Sequence, residues 1–258
     1  MNILLTGATG YIGRRLKHRL LKENGVKLRV FVKKGQSVKT SYAVEVAEGS
    51  TFDKDSLDNA LKGIDTAYYL IHSMESKNYR ELDRKSAQNF LDSCIKNGVK
   101  RIIYLGGLGE KESASEHLLS RIETGEILSS RPDVVQTLWF RAGVIIGSGS
   151  ASFEIVRNLV EKLPFMITPK WVNTLCQPSA ERDVIEYLAS ASMLQNNESA
   201  IIDIGGEAMS YKELLLGYAK AVGLKRALIP VPFFSPKLSS YWLTLMTPDI
   251  IKKAKLDR

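Results

Sequence analysis

The chain has 258 residues, 44% apolar and 25% charged, with 36 Lys and Arg against 28 Asp and Glu for a net charge of +8. That length and apolar fraction suit one large globular domain with at most a small appended lobe, and exclude a disordered or fibrous chain. The two cysteines, Cys94 and Cys176, are far apart and in no paired motif, which excludes a disulfide framework, predicts no metal site and fits a reducing compartment. Met1 leads directly into a strand-like run and no apolar stretch reaches membrane-spanning length, so neither a signal peptide nor a membrane span is expected, and the expected location is cytoplasmic. Lys and Arg are scattered and no nucleic-acid motif accompanies them. A basic surface with a site for an anionic cofactor explains the charge at least as well as nucleic acid does, and the expected partner is a small molecule.

The first predicted strand, Asn2 to Leu5, runs into Thr6-Gly7-Ala8-Thr9-Gly10-Tyr11-Ile12-Gly13, whose glycines are three apart. Behind them Ile12, Leu16 and Leu20 recur every four residues, the stripe of an amphipathic helix. Strand, glycine turn and helix form the phosphate-binding corner of a dinucleotide fold. Gly7 permits the tight turn, Gly10 lets backbone N–H groups approach a pyrophosphate, and Gly13 lets helix and strand pack closely. Thr9, Tyr11 and Ile12 fall in the same candidate contact, and the free N–H groups of the helix N-terminus face the anion.

Asn24-Gly25 stops that helix, and Val26 to Val32 reads as the second strand. The residues just after it meet the adenosine ribose in this fold, where an acid would favour NAD(H). Lys33 and Lys34 stand there instead and suit a 2′-phosphate, which predicts NADP(H) over NAD(H). Ala43 to Ala47 reads as a third strand, Asp53 to Leu61 as a short helix, and Thr66 to Ile71 as a fourth strand ending in His72-Ser73-Met74. Leu70 and His72, at a carboxyl end in a parallel sheet, are expected to line the cofactor crevice, with a packed structural histidine the equal alternative for His72. Ala87, Phe90, Leu91, Cys94 and Ile95 mark a helix ended by Asn97-Gly98, with Cys94 on its core face. Arg101 to Leu105 and Val134 to Phe140 read as the fifth and sixth strands, and Ile201 to Ile204 as a late one.

Strands alternating with helices predict an α/β fold, a Rossmann-type doubly wound parallel sheet. Residues 1–258 are read as a single Rossmann-like NAD(P)-binding domain. Within it, about 148–178 and 206–258 break the alternation and are expected to form a small C-terminal substrate lobe.

Thr6 to Gly13, with its Gly-x-x-Gly-x-x-Gly spacing, resembles the extended and atypical short-chain dehydrogenase/reductases. Gly63-Ile64-Asp65 resembles their Gly-Val-Asp. Leu138 to Gly147 resembles their Leu-Arg-Pro-x-x-Val-Tyr-Gly segment, with Arg141 in the arginine position near the nicotinamide. Gln177-Pro178 with Asp183-Val184, and Ile202 to Gly206 with Ser210 to Leu214, resemble later family segments. Tyr68 to Met74 and Tyr104 to Gly109 look most like an atypical NAD(P)H-binding subgroup that includes NmrA-like proteins and proteins labelled nucleoside-diphosphate-sugar epimerases.

The chain also departs from the family. Where the family has its catalytic Tyr-x-x-Ser-Lys helix, this sequence has His117-Leu118-Leu119-Ser120-Arg121. The upstream Ser or Thr falls in Gly106-Gly107, and the acidic residue usual at the adenine end is Ser50. His117 and Arg121, four apart on one helix, are the replacement candidates: His117 as general acid or base, Arg121 as an anchor for a ribose hydroxyl or an oxyanion. The resemblance therefore implies an NADP(H)-binding oxidoreductase acting on a small carbonyl or enone compound. The alternatives are a non-catalytic NADP(H)-sensing regulator of NmrA type and a sugar-nucleotide epimerase or dehydratase.

Overall fold

A computed structural model describes residues 1–36, 38, 44–73 and 78–230. In chain order the elements are β1 (Asn2–Thr6), α1 (Tyr11–Leu20), β2 (Lys27–Val32), β3 (Val44–Glu48), α2 (Lys54–Leu61), β4 (Thr66–Tyr69), α3 (Tyr79–Lys96), β5 (Arg101–Gly107), α4 (Glu116–Leu128) and β6 (Gln136–Ala142). There follow β7 (Ile145–Ile146), α5 (Ala151–Lys162), β8 (Phe165–Thr168), β9 (Leu175–Cys176), β10 (Ser179–Ala180), α6 (Glu181–Met193), β11 (Ala200–Ile204), β12 (Met209–Ser210), α7 (Tyr211–Ala221) and β13 (Ala227–Pro230).

Seven strands form one sheet in the order β11-β6-β5-β4-β1-β2-β3, every pair parallel. Alternate side chains go to opposite faces, and both faces are covered. Leu4, Tyr69, Ile102, Tyr104 and Trp139 pack with Leu57 of α2, Phe90 of α3 and Ile122 of α4. On the other face the hydroxyl of Tyr68 donates to the carbonyl of Leu188 in α6, and Arg19 of α1 pairs with Glu186 of α6. A sheet buried on both sides explains the nearly unbroken apolar strands. Strand order reverses at β1, which has β2 on one side and β4 on the other, so the crevice lies at the carboxyl ends of β1 and β4.

Several boundaries differ from those expected. β4 stops at Tyr69 because the Leu70 N–H bonds to the Thr6 hydroxyl rather than to a strand carbonyl. Val134 and Val135 stay out of β6 because their N–H groups close a turn on the carbonyl of Arg131. β5 runs on through Gly106 and Gly107, which pair with Arg141 and Ala142. The start of the expected third strand, at Ala43, lies outside the described residues.

The chain divides into two compact units, and the sheet with residues 1–142 and 182–204 is the first. The second comprises residues 143–181 and the stretch from Gly205, described to Pro230. Its core gathers Val156, Leu159 and Val160 of α5, Met166, Val172, and Leu214, Leu215 and Ala219 of α7. Three two-stranded pairings brace it: β10 with β7, β12 with β9 and β13 with β8. A capping box between Ser210 and Glu213 starts α7. Helix α5 falls where no regular structure is expected from the prolines around it, although Val156, Leu159 and Val160 carry helical spacing.

Candidate functional site

At the crevice the Thr6 hydroxyl donates to the carbonyl of Tyr68 (2.8 Å) and accepts from the N–H of Leu70 (3.1 Å), stitching β1 to the end of β4. Gly7 then turns the chain with φ +67°, and a Cβ on it would lie 2.4 Å from the carbonyl oxygen of Leu70. A Cβ on Gly13 would lie 2.1 Å from the carbonyl oxygen of Gly7. Those two glycines are demanded by the protein's own packing. Gly10 is different: its φ of −71° and ψ of 172° suit any residue, and the nearest atom to an added Cβ is 3.2 Å away.

Gly10 is also the N-cap of α1, and with no side chain there is no cap hydrogen bond and no acid in the first turn. The N-terminus of α1 therefore presents N–H groups and a positive dipole end with no carboxylate of its own helix to satisfy them. Tyr11 and Ile12 are half-buried in this first turn, with Arg15 stacked over the Tyr11 ring at 4.1 Å. Thr9, within the turn, accepts a hydrogen bond from Gln36 (3.1 Å). That bond holds the loop after β2 beside the glycine turn, and the same loop carries Lys33 and Lys34, both exposed. Ser50 lies in the loop after β3, where its hydroxyl accepts from the N–H of Phe52 and its backbone is bound on both sides by Ser56. It serves the turn that leads into α2.

Beyond β1, Leu70 packs its backbone against Gly7, and His72 sits where the chain leaves β4. The His72 ring lies edge-on to Tyr104 (6.0 Å), is hydrogen-bonded to the backbone of Leu105, and leaves Nδ1 shut off from solvent without a partner among the described residues. Burial, and then the cation of Arg121, push its pKa down to about 3, so it is a neutral imidazole at physiological pH. Arg121 on α4 lies against Gly107, its Nη1 3.9 Å from where a Cβ on that glycine would stand.

A buried carboxylate holds these pieces together. Asp83 of α3, 3% exposed, accepts from the N–H of Ser73 (2.7 Å) and the hydroxyl of Ser120 (2.9 Å), tying the loop of His72 to the helix of Arg121. Below it Tyr69, Ser86 and Thr51 form a hydroxyl chain, and Asn89 donates to the carbonyl of Thr51. None of this network is visible in sequence periodicity, because Asp83 and Ser86 look like polar positions of an amphipathic helix.

The other expected residues lie elsewhere. His117 is exposed and stacks on Tyr79 of α3 (4.7 Å, 22°), one turn of helix before Arg121. Arg141 makes a bidentate ion pair with Asp203 (2.6 and 2.8 Å), its register partner on β11. The missing hydroxyl at Gly106 has a packing cause: a Cβ there would stand 2.6 Å from Trp139 Nε1, and Gly125 is kept small by the same indole. A Cβ on Gly107 would collide with Leu118 of α4 at 2.7 Å.

A family model described as NAD(P)H-binding matches residues 7–130. Among curated proteins, sterol demethylase protein B of Methylococcus capsulatus is 29% identical over 119 residues, covering 42% of this chain and 35% of that protein. The chloroplastic divinyl chlorophyllide a 8-vinyl-reductase of Arabidopsis thaliana is 20% identical over 253 residues, covering 90% of this chain and 60% of that protein. The chain thus spans between about a third and three fifths of these relatives. Among solved structures, the Thermus thermophilus UDP-glucose 4-epimerase complex with NAD has a TM-score of 0.68 at 20% identity, covering 94% of this chain and 93% of that one.

The residues present fit a dinucleotide: an uncapped helix N-terminus, a glycine whose missing side chain the protein itself does not need, and cations on either side. Residues 7–130 thus match an NAD(P)H-binding domain, and the fold is that of the NAD-bound epimerase structure.

Proposed function

We propose that this protein is an NADP(H)-dependent oxidoreductase acting on a small carbonyl or enone compound. The observation that carries the reading is the bare N-terminus of α1 with Lys33 and Lys34 held beside it through the Gln36–Thr9 hydrogen bond. The first suits a pyrophosphate and the second a 2′-phosphate. When bound, such a cofactor supplies or accepts a hydride at its nicotinamide. Arg121 has five donors and no proton to give, so its work is to hold a ribose hydroxyl or the oxygen of a polarised carbonyl. His117 is solvent-accessible at the start of the same helix and is the candidate general acid or base. Residues 143–181 and those from Gly205 on, a separate unit, would supply the substrate lobe.

A second reading is favoured by one observation. The position of the family's catalytic tyrosine is filled by an exposed histidine stacked on Tyr79, and the upstream hydroxyl is replaced by Gly106, kept small by the Trp139 indole, and Gly107. That suits a non-catalytic NADP(H)-sensing regulator of NmrA type. A sugar-nucleotide epimerase or dehydratase has only the likeness of fold behind it.

Fluorescence titration tests the cofactor. NADPH is expected to bind about 10- to 100-fold more tightly than NADH, the worth of a charge-assisted contact. The double variant Lys33→Glu, Lys34→Glu is expected to erase or reverse that preference, and equal affinities in the parent protein overturn it. Turnover with a panel of carbonyl acceptors separates the two readings. A reductase using His117 should lose about 10²- to 10⁴-fold in kcat on His117→Ala, whereas tight NADPH binding without any turnover favours the regulator.

A further inference from the structure

Two features of the sheet divide the crevice. A dinucleotide in this fold lies across the switch point, one nucleoside over each half of the sheet. Lys33 and Lys34 follow β2, which assigns the adenosine end to the side of β2 and β3. The nicotinamide end then belongs to the side of β4 and β5, where His72 and Arg121 stand.

On that side one arginine differs from the others in its pairing. Arg80, Arg84, Arg131 and Arg141 each have a carboxylate partner. Among the described residues Arg121 has none; the half-buried residue lies against Gly107. The groups around it are neutral: the imidazole of His72, and the hydroxyl of Tyr104, which donates to the Arg121 carbonyl. The acid of this cluster, Asp83, has one oxygen taken by Ser73 N–H and the other by the Ser120 hydroxyl. Tyr104 lies within the fields of both Arg121 and Asp83, Tyr69 within that of Asp83, and His72, at the strand end, within that of Arg121.

We propose that Arg121 makes this site discriminate between the two oxidation states of its cofactor, accepting the uncharged ring of NADPH and disfavouring the cationic ring of NADP⁺. The inference rests on the cofactor reading above and deepens it. A like charge at a half-buried position, partly screened by solvent, is worth on the order of tenfold in affinity. In a reductase the bias speeds release of the spent cofactor, since the ring becomes cationic once its hydride has left. In a regulator it makes occupancy follow the reduced pool. One residue therefore serves either function.

The test is binding, not turnover. Dissociation constants for NADPH and NADP⁺ are measured by calorimetry on the full chain and on Arg121→Gln and Arg121→Lys. 2′-Phospho-ADP-ribose, which lacks the nicotinamide, serves as the control ligand. The parent protein is expected to prefer NADPH by about tenfold. Arg121→Gln should collapse that ratio toward one by tightening NADP⁺ relative to NADPH, Arg121→Lys should keep most of it, and the control ligand should bind all three alike. Equal affinities for NADPH and NADP⁺ in the parent, or a ratio unchanged in Arg121→Gln, overturn the inference while leaving the cofactor reading intact. Failure of the parent to bind either nucleotide overturns both.

Discussion

The two ends of the central sheet are built on opposite principles, and two arginines mark the contrast. At the amino end of β5, Arg101 is 7% exposed and spends every donor: Nε on Gln136, Nη1 on the carbonyls of Ala191 and Ser192, Nη2 on those of Leu194 and Asn196. It thereby closes the end of α6, whose last carbonyls have no partner within the helix. Gln136 continues the pattern by donating to Asn196 and Glu198, and Asp65 accepts from the N–H of Asn2. At the carboxyl end, among the described residues, α1 has no side-chain cap, His72 has a buried nitrogen without a partner, and Arg121 lacks a carboxylate. Saturated polar groups stabilise a fold, and unsaturated ones cost stability unless a ligand completes them. The difference is what the proposed cofactor site at the carboxyl end requires.

Substitutions at the saturated end should cost the most stability. Arg101→Met would orphan four carbonyls at the end of α6, and a loss of about 3–5 kcal/mol in urea unfolding is expected, with cofactor affinity per folded molecule unchanged. A loss under about 1 kcal/mol would mean that water replaces the guanidinium and that the two ends are less unlike than they look.

The glycine turn sharpens the contrast inside a single loop. Gly13→Ala drives a methyl into the Gly7 carbonyl and should cost about 2–3 kcal/mol. At Gly10 an added Cβ meets one atom of the protein, the Gly7 carbonyl oxygen at 3.2 Å, so Gly10→Val should cost about 1 kcal/mol or less while abolishing cofactor binding. Retained affinity in Gly10→Val, measured by NADPH fluorescence, would put the pyrophosphate elsewhere.

The smallest effect belongs to His72. Its folded pKa of about 3 lies below the ordinary value of 6.5, so between those values the unfolded chain binds a proton that the native protein does not. The stability associated with the neutral imidazole is complete above about pH 6.5 and declines as pH falls toward 3. Between pH 7 and pH 5.5 the loss should be about 1 kcal/mol and should be absent from His72→Gln. A parent and variant with parallel pH profiles would show that the ring titrates normally.

Much of the architecture around this crevice was legible in the sequence. Strand, glycine spacing and the helical stripe of Ile12, Leu16 and Leu20 are local signals, and short-range sterics decide them. The alternation of strands and helices likewise implied a parallel sheet, since parallel neighbours need long crossovers. Lys33 and Lys34 could be placed because their position follows directly from the end of a strand.

Other features were decided by the tertiary structure alone. Arg101 opens a strand and reads as a solvated charge, yet its carbonyl partners lie 90 to 95 residues later. Arg141 and Asp203, 62 residues apart, meet because parallel register sets them side by side. Gly106 and Gly125 look like flexible points and are instead the walls of a slot for Trp139. Asp83 reads as surface and is buried. Periodicity reports which face of its own element a residue occupies. It carries no information on what another element, brought in by a crossover of many residues, places opposite that face, and that second fact separates a spent arginine from one still available to a ligand.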